Sequence, residues 1–286
     1  MNFSRREILK MFGTAALLLT PAHTLLFGQN SGNPAYFKII SKIRNNGWQQ
    51  LKLNQLITNI AMEFIDVPYV GGTLDANSVE TCSVFLDKLD CVTYFETVLG
   101  IAKCIKSKKY DFDDLVEQVK QTRYRNGIVD GYSSRLHYTA DWIYENTKNN
   151  ITKDITKNIG GEIIKFDTFF MSKNFDKYNA LKDNPELVRV IKQQEEAINS
   201  REYYYIPKNK LSRKISGIES GDIIAITTSI PGLDYAHIGF AFKNDKEEIQ
   251  LLHASSKKKK VVLDIYLSEY LKGIKNNTGI TVLRSV

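Results

Sequence analysis

Apolar positions recur at helical spacing through the first half of the chain and at alternating spacing in the second. Leu53, Leu56, Ile57, Ile60, Ala61 and Phe64 share one helical face, and Pro68 ends the pattern before the loop Tyr69-Val70-Gly71-Gly72-Thr73. Upstream, a polar linker from Gly28 to Asn33 leads into Pro34, which suits the first turn of a helix running to about Arg44. Asp90 is a good N-cap for a third helix with Val92, Phe95, Leu99 and Ala102 as its apolar stripe, so Cys91 is the first helical residue. Phe112, Leu115, Val116 and Val119 predict a fourth helix, and Tyr138 to Asn146 a short fifth. Strands are predicted at Ile223 to Thr227, Ala236 to Phe242, Ile249 to Ala254 and Lys260 to Asp264. Between the halves, Thr152 to Lys214 is rich in Lys and Asn, with one helical pattern near Glu186 to Ile198. Helices first and an antiparallel sheet later is the order of an α+β fold.

The N-terminus obeys different rules. Ser4-Arg5-Arg6-Glu7-Ile8-Leu9-Lys10 precedes an apolar stretch from Met11 to Leu19 and then Thr20-Pro21-Ala22. Paired arginines before Ile-Leu-Lys resemble a twin-arginine export signal, and the apolar stretch is short for a membrane span. An uncleaved anchor helix is the alternative. Cleavage is expected after Ala22 or Gly28, and residues 1–28 are set apart as leader. Residues 29–286 are then one domain, with an elaboration at about 150–215, exported to the periplasm or outside the cell and holding no stable membrane span.

Composition narrows the class only modestly. Of 286 residues, 43% are hydrophobic and 25% charged, which excludes disordered, collagenous and multi-span membrane chains. The net charge of +7 includes +2 from Arg5, Arg6 and Lys10 against Glu7, leaving +5 for the rest. That excess is spread out, so no nucleic-acid partner is expected. The run Lys257 to Lys260 reads as a solvated strand edge or turn, with weak attraction to an anionic polymer as the alternative.

Cys82, Cys91 and Cys104 cannot build a disulfide framework in an exported chain of this size, and at least one thiol stays free. Cys91 occupies a helix start, where backbone N–H groups and the helix dipole favour an anion. A nucleophile is one reading and a buried structural cysteine the other. Cys104 lies about 220° around the same helix, and it and Cys82 are expected in the core. Past the leader only His137, His237 and His253 could act as a base. His237 alternates with Gly239 and Ala241, away from the apolar face of Ala236, Ile238, Phe240 and Phe242. If Asn244-Asp245-Lys246-Glu247 is the turn of a hairpin, His237 falls opposite His253 on one face. One ring could then hold the tautomer of the other.

Val67-Pro68-Tyr69-Val70-Gly71-Gly72-Thr73, Asp90-Cys91, Glu219-Ser220-Gly221-Asp222-Ile223-Ile224, His237-Ile238-Gly239 and His253 resemble, in order, the NlpC-type papain-like cell-wall hydrolases. Asp90-Cys91-Val92-Thr93-Tyr94, Ser134-Arg135-Leu136-His137-Tyr138, Gly232-Leu233-Asp234-Tyr235-Ala236-His237 and Leu252-His253-Ala254-Ser255-Ser256 are similar to one branch, the AmiA-like N-acetylmuramoyl-L-alanine amidases. The resemblance covers roughly Leu53 to Arg284. Two departures from the wider pattern stand out: Val92 follows the cysteine where a Ser-Gly pair is usual, and 145 residues lie between Cys91 and His237. The extra segment is expected to shape the pocket.

The resemblance implies a papain-like cysteine hydrolase fold, with the nucleophile at a helix start packed on an antiparallel sheet. Cys91 would be the nucleophile, His237 the base and His253 the orienting residue. Tyr69 would lie beside the thiol and support the oxyanion, unless it only caps the core. Arg135, His137, Tyr138 and Asp141 are candidates for the substrate cleft, although His137 and Asp141 at i and i+4 could equally be a structural pair. The implied reaction is hydrolysis of the amide between N-acetylmuramic acid and L-alanine in muropeptides, with 1,6-anhydro sugar ends among the substrates, and it needs neither metal nor organic cofactor. Alternatives are a γ-D-glutamyl-diamino-acid endopeptidase with the same triad and a non-catalytic muropeptide-binding module. A zinc amidase using His137 and His237 lacks an H-E-x-x-H spacing, and a Ser134, His137, Asp141 hydrolase lacks a nucleophile-elbow sequence.

Overall fold

The computed structural model describes residues 33–75 and 79–286; the export leader proposed for residues 1–28 lies outside them. The five helices of the first half form where the apolar spacing places them: α1 (Pro34–Asn45), α2 (Leu53–Met62), α3 (Cys91–Lys106), α4 (Phe112–Arg123) and α5 (Thr139–Lys148). The Asn33 side chain accepts from the Ala35 and Tyr36 N–H groups, so the residue before Pro34 closes the N-terminus of α1. Two further helices follow, the short α6 (Phe170–Lys173) and α7 (Pro185–Asn199), and α8 (Leu267–Lys272) comes near the C-terminus.

The strands are β1 (Thr152–Asp154), β2 (Glu162–Ile164), β3 (Tyr203–Pro207), β4 (Ile223–Thr228), β5 (Tyr235–Lys243), β6 (Ile249–Ser255), β7 (Lys260–Tyr266) and β8 (Asn277–Ser285). They build one sheet in the order β2-β3-β8-β4-β5-β6-β7, with β1 also on β8. Every one of these pairings is antiparallel. The Lys- and Asn-rich segment therefore does more than pack on the core: three of its strands enter the sheet.

The sheet buries both faces. One face carries Ile223, Ala225, Ile238, Phe240, Leu252 and Leu283 into the main core with the helices of the first half. Phe240 meets Tyr94 of α3 edge-on at 5.7 Å, and the Tyr94 hydroxyl donates to the Ala61 carbonyl at 3.1 Å, which ties α2, α3 and β5 together. Each such fully buried large apolar side chain is worth about 1.5–3 kcal/mol over an exposed one. The opposite face carries Ile224, Ile226, Leu251, Ile280 and Val282 against Leu267 and Leu271 of α8.

Two buried polar clusters fix how the helices meet the sheet and one another. The fully buried Asp222 accepts from Arg284 Nε at 2.8 Å, from Asn54 Nδ2 at 3.1 Å and from the Glu219 N–H at 2.8 Å. Gly221 has φ +88° and approaches α2 so closely that a Cβ would lie 2.3 Å from the Asn54 carbonyl oxygen, so the Gly221-Asp222 pair docks α2 on the sheet. Between α3 and α4, Glu96 and Arg123 pair at 2.7 Å with both side chains buried, and Arg123 also donates to the Ser83 carbonyl.

The β5–β6 hairpin differs from the expected register. Its loop takes five residues, closed by the Asn244 N–H to the Glu248 carbonyl, and pairs Phe240 with Leu252 and Phe242 with Gln250. Continuing that register sets Gly239 across from His253, and His237 lies on the diagonal instead of directly opposite. A shift of two residues keeps both histidines on one face. The cysteines also divide differently: Cys104 is fully buried, whereas Cys82 and Cys91 are each partly exposed, and all three are free thiols.

Candidate active site

Asp90 and Thr93 cap α3 reciprocally. The Asp90 carboxylate accepts from the Thr93 N–H and hydroxyl, both at 2.8 Å, and the Thr93 hydroxyl accepts from the Asp90 N–H at 2.9 Å. This cap holds Cys91 at the first helical position. Burial pushes the Cys91 thiol up to about 12, and the Asp90 charge adds to the rise; the N–H groups of Ile238, Cys91 and Val92 at the sulfur offset only part of it.

Cys91 and His237 line one cavity of about 260 Å³, together with Ile238 of β5 and Asp234 just before it. His237 Nε2 lies 2.5 Å from His253 Nδ1, with the rings nearly perpendicular. Gly239 makes this diagonal contact possible, since a Cβ there would sit 2.8 Å from His253 Cβ. Burial, reinforced by the neighbouring His253 and opposed by Asp264, pulls His237 down to about 3, and burial lowers His253 as well. Both shifts favour the neutral form of the rings.

Beyond His253 the polar chain continues. His253 Nε2 is 3.2 Å from Asp264 Oδ2, while Asp264 Oδ1 accepts from Lys258 Nζ and from the Ile265 N–H, both at 2.7 Å. Burial alone would raise the Asp264 carboxyl, but the bonds from Lys258, Ile265 and His253 outweigh it and hold the carboxyl below its ordinary value. The Tyr270 ring packs on the pair, 5.2 Å from His253 and 6.2 Å from His237.

The lysine run is the β6–β7 turn, and its backbone has a second task. The Lys259 carbonyl accepts the Tyr69 N–H at 2.9 Å, and Pro68 bridges to Lys260, so the turn holds the 67–70 segment. Tyr69 stands close enough to Cys91 that, after burial, the thiolate charge is the main reason its hydroxyl is pushed up to about 12.

The remaining predicted residues divide into two groups. Arg135, His137 and Tyr138 line the cavity. Arg135 pairs with Asp75 and Glu80 and lies over the Tyr132 ring, which also stacks on His137 at 4.2 Å. His137 Nε2 meets the Tyr132 carbonyl at 2.8 Å, and burial followed by the Arg135 charge pulls the ring down to about 3. The Tyr138 hydroxyl donates to Glu195 at 2.7 Å and accepts from the Met171 N–H. Asp141 departs from expectation. It is buried and is not among the residues that line the cavity, and its oxygens are taken by Arg125 at 2.5 Å and Arg201 at 2.8 Å instead of by His137. The helix begins only at Thr139, so His137 lies outside it and the i,i+4 spacing to Asp141 does not stack the two side chains, while two arginines from separate segments take the carboxylate.

The elaboration reaches the same cavity. Met171 and Tyr178 contribute to its wall, and the Phe169 and Phe170 N–H groups donate to the Gly232 carbonyl, fixing the loop that leads to Asp234. Asp234 was visible in the sequence only as part of a motif. Its carboxylate accepts from the Ala140 N–H at 2.6 Å and the Tyr235 N–H at 2.7 Å, yet burial raises it to about 6. Among the described residues no group of three or more His, Cys, Asp or Glu is arranged as a metal site. No helix among them is long and apolar enough to cross a membrane.

The AmiA-like family, described as N-acetylmuramoyl-L-alanine amidase-like, matches residues 59–280. The chain belongs to this family. A crystal structure of an N-acetylmuramoyl-L-alanine amidase from Bacteroides uniformis is 38% identical to it, with a TM-score of 0.78 over 82% of this chain and 99% of that one. A Bacteroides fragilis protein provisionally named a xylanase is also 38% identical, with a TM-score of 0.76 over 79% of this chain and 99% of that one. A Legionella pneumophila protein at 24% identity and TM-score 0.64 shares the fold. No curated protein matches the chain. The AmiA-like match spans α3, the cavity and both histidines, so the helices packed on an antiparallel sheet are the fold of the amidase structures.

Proposed function

We propose that the protein is a cysteine amidase, papain-like in its catalytic layout, that hydrolyses the bond between the lactyl group of N-acetylmuramic acid and L-alanine in soluble muropeptides. One observation carries the reading: Cys91 at a capped helix start shares a cavity with His237, whose Nε2 is engaged by His253 at 2.5 Å. His237 Nδ1 takes the thiol proton as Cys91 Sγ bonds to the lactyl carbonyl carbon. The oxyanion that forms meets the N–H groups at the start of α3 and the Tyr69 hydroxyl. On collapse the C–N bond breaks, the His237 imidazolium protonates the departing amine, and a thioester remains. Water, losing a proton to His237, attacks the thioester; the lactyl acid leaves and Cys91 regains its proton. Arg135, His137 and Tyr138 bind the substrate from the cavity wall.

The name borne by the Bacteroides fragilis relative fits this site less well, because glycoside cleavage uses two carboxyl groups flanking the bond. Here Asp75 is paired with Arg135, and both Asp234 oxygens accept backbone N–H groups. The deciding experiment is incubation with defined muropeptides and mass analysis of the products. An intact sugar acid plus a peptide beginning with L-alanine supports the amidase. Cleavage after the glutamyl residue indicates the endopeptidase with the same triad, and binding without turnover indicates a muropeptide-binding module. Cys91→Ala should abolish turnover, whereas activity that survives thiol alkylation and falls to chelator would sink the thiol mechanism.

Export to the periplasm or beyond belongs to the same reading, resting on Arg5, Arg6 and the apolar stretch after them. Replacing Arg5 and Arg6 together by lysine should leave precursor in the cytoplasm, and undiminished export would reject a twin-arginine route.

A further inference from the structure

We propose that Asp264 is a positioning residue that sets the tautomers of both histidines at once, leaving His237 Nδ1 as the only free lone pair of the linked rings. The inference builds on the assignment of His237 as base and adds a residue and a proton order to it. Lys258 and the Ile265 N–H both bond to Asp264 Oδ1, so the carboxylate is anchored at one oxygen and turns Oδ2 to His253 Nε2. A carboxylate can only accept, so His253 carries its proton on Nε2. Its Nδ1 is then bare and must accept, and the group 2.5 Å away is His237 Nε2, which therefore donates. A neutral His237 with a proton on Nε2 has none on Nδ1. The order of protons is thus dictated from the charged end of the chain inward, across two rings.

Removing the negative charge frees the order to reverse. In Asp264→Asn the side-chain oxygen stays with Lys258, and the amide NH2 faces His253 Nε2. His253 then carries its proton on Nδ1 and donates to His237 Nε2, and His237 becomes protonated on Nδ1. A base with its proton on the reacting nitrogen cannot take another. The Tyr270 ring meets His253 through its edge or face at 5.2 Å, a contact that offers no preference between tautomers.

The sequence contains the signal once the hairpin is drawn. His253 pairs with Val262, and Asp264 is two residues further along the same face of β7. Lys258 comes from the lysine run, so one member of that run is bound inside the protein's polar chain.

The test is a direct reading of ring tautomers by nitrogen NMR on protein labelled with 15N-histidine, together with turnover. In the wild type, His237 and His253 should both show a protonated Nε2 and a bare Nδ1. In Asp264→Asn both should switch to a protonated Nδ1, and kcat should fall by about 10²–10⁴-fold, the upper figure being that for a carboxylate touching the base directly. KM and melting temperature should change little, since no substrate contact is removed. A wild-type His253 protonated on Nδ1 would overturn the proposal even if the variant failed to fold, and so would a folded Asp264→Asn with unchanged tautomers or unchanged kcat. Turnover that survives Cys91→Ala would instead reject the thiol mechanism and leave the tautomer measurement standing.

Discussion

Gly239→Ala joins the fold to the chemistry in a single methyl group. The added Cβ would lie 2.8 Å from His253 Cβ, 2.8 Å from the Leu252 carbonyl oxygen and 3.3 Å from Leu251 Cδ1. Ordinary contacts begin near 3.4 Å, so β5 and β6 must part by more than half an ångström. Two of the three atoms belong to the backbone or are bonded to it, and no rotamer change relieves them. Overpacking of this kind costs about 1–3 kcal/mol. The stiffer unfolded chain returns about 0.4–1 kcal/mol, so the expected net loss is about 1–2 kcal/mol. Activity should suffer more than stability, because a displacement approaching 1 Å in a reacting geometry costs about 10²-fold in rate. Urea unfolding and muropeptide turnover on the same preparations check both numbers. Gly273→Ala is the control, since its added methyl meets nothing nearer than 3.4 Å. A Gly239→Ala protein with wild-type turnover and an unchanged urea midpoint would refute the claim that the diagonal histidine contact depends on this glycine.

Burial raises the Cys91 thiol to about 12 and lowers the His237 ring to about 3, which favours an uncharged pair at neutral pH over a thiolate–imidazolium pair. Alkylation of Cys91 by iodoacetamide in the absence of substrate should therefore climb about tenfold per pH unit from 6 to 9; a plateau already present at pH 5 would reveal a preformed ion pair. Glu96→Ala leaves Arg123 buried and uncompensated and should cost about 3–5 kcal/mol in urea unfolding, with the loss much smaller in Glu96→Ala combined with Arg123→Met. His237→Ala should approach the inactivity of Cys91→Ala, His253→Ala should be milder, and the double alanine variant should cost little beyond His237→Ala alone; kcat values that multiply across the two sites would show them acting independently.

The helices were legible because each buries one face, and β4 to β7 because they are apolar, β-branched runs bounded by turn residues. β8 was not. Asn277-Thr278-Gly279 opens it and Arg284 nearly closes it, and its central residues are buried on both faces, so no simple alternation marks a strand. β1 to β3 were hidden for a different reason: three or five residues long, they are too short to show a period and are strands by virtue of the partner they find. In the site, Cys91, His237 and His253 could be picked out from scarcity of residue type and from position in an element. Asp264 escaped because acidic residues are common and its role appears only with the β6–β7 register. Asp141 misled because i,i+4 spacing to a histidine looks like a pair, while the arginines that claim it come from Arg125 and from Arg201, the latter 60 residues away.

The order of strands has a kinetic consequence. β2 and β3 lie on one side of the sheet and β4 to β7 on the other, and the two groups meet only through β8, the last strand in the sequence. A growing chain can draw β4 to β7 together as a meander of short hairpins, but the middle of the sheet stays vacant until the final residues arrive. Ile223 must then find Leu283, and Thr152 must find Ser285, across long stretches of chain. Closing such distant pairs late makes folding slow and its final step cooperative. Trimming a few residues from this terminus would open the sheet at its centre instead of shortening its margin, and a nascent chain should show no turnover until β8 has docked.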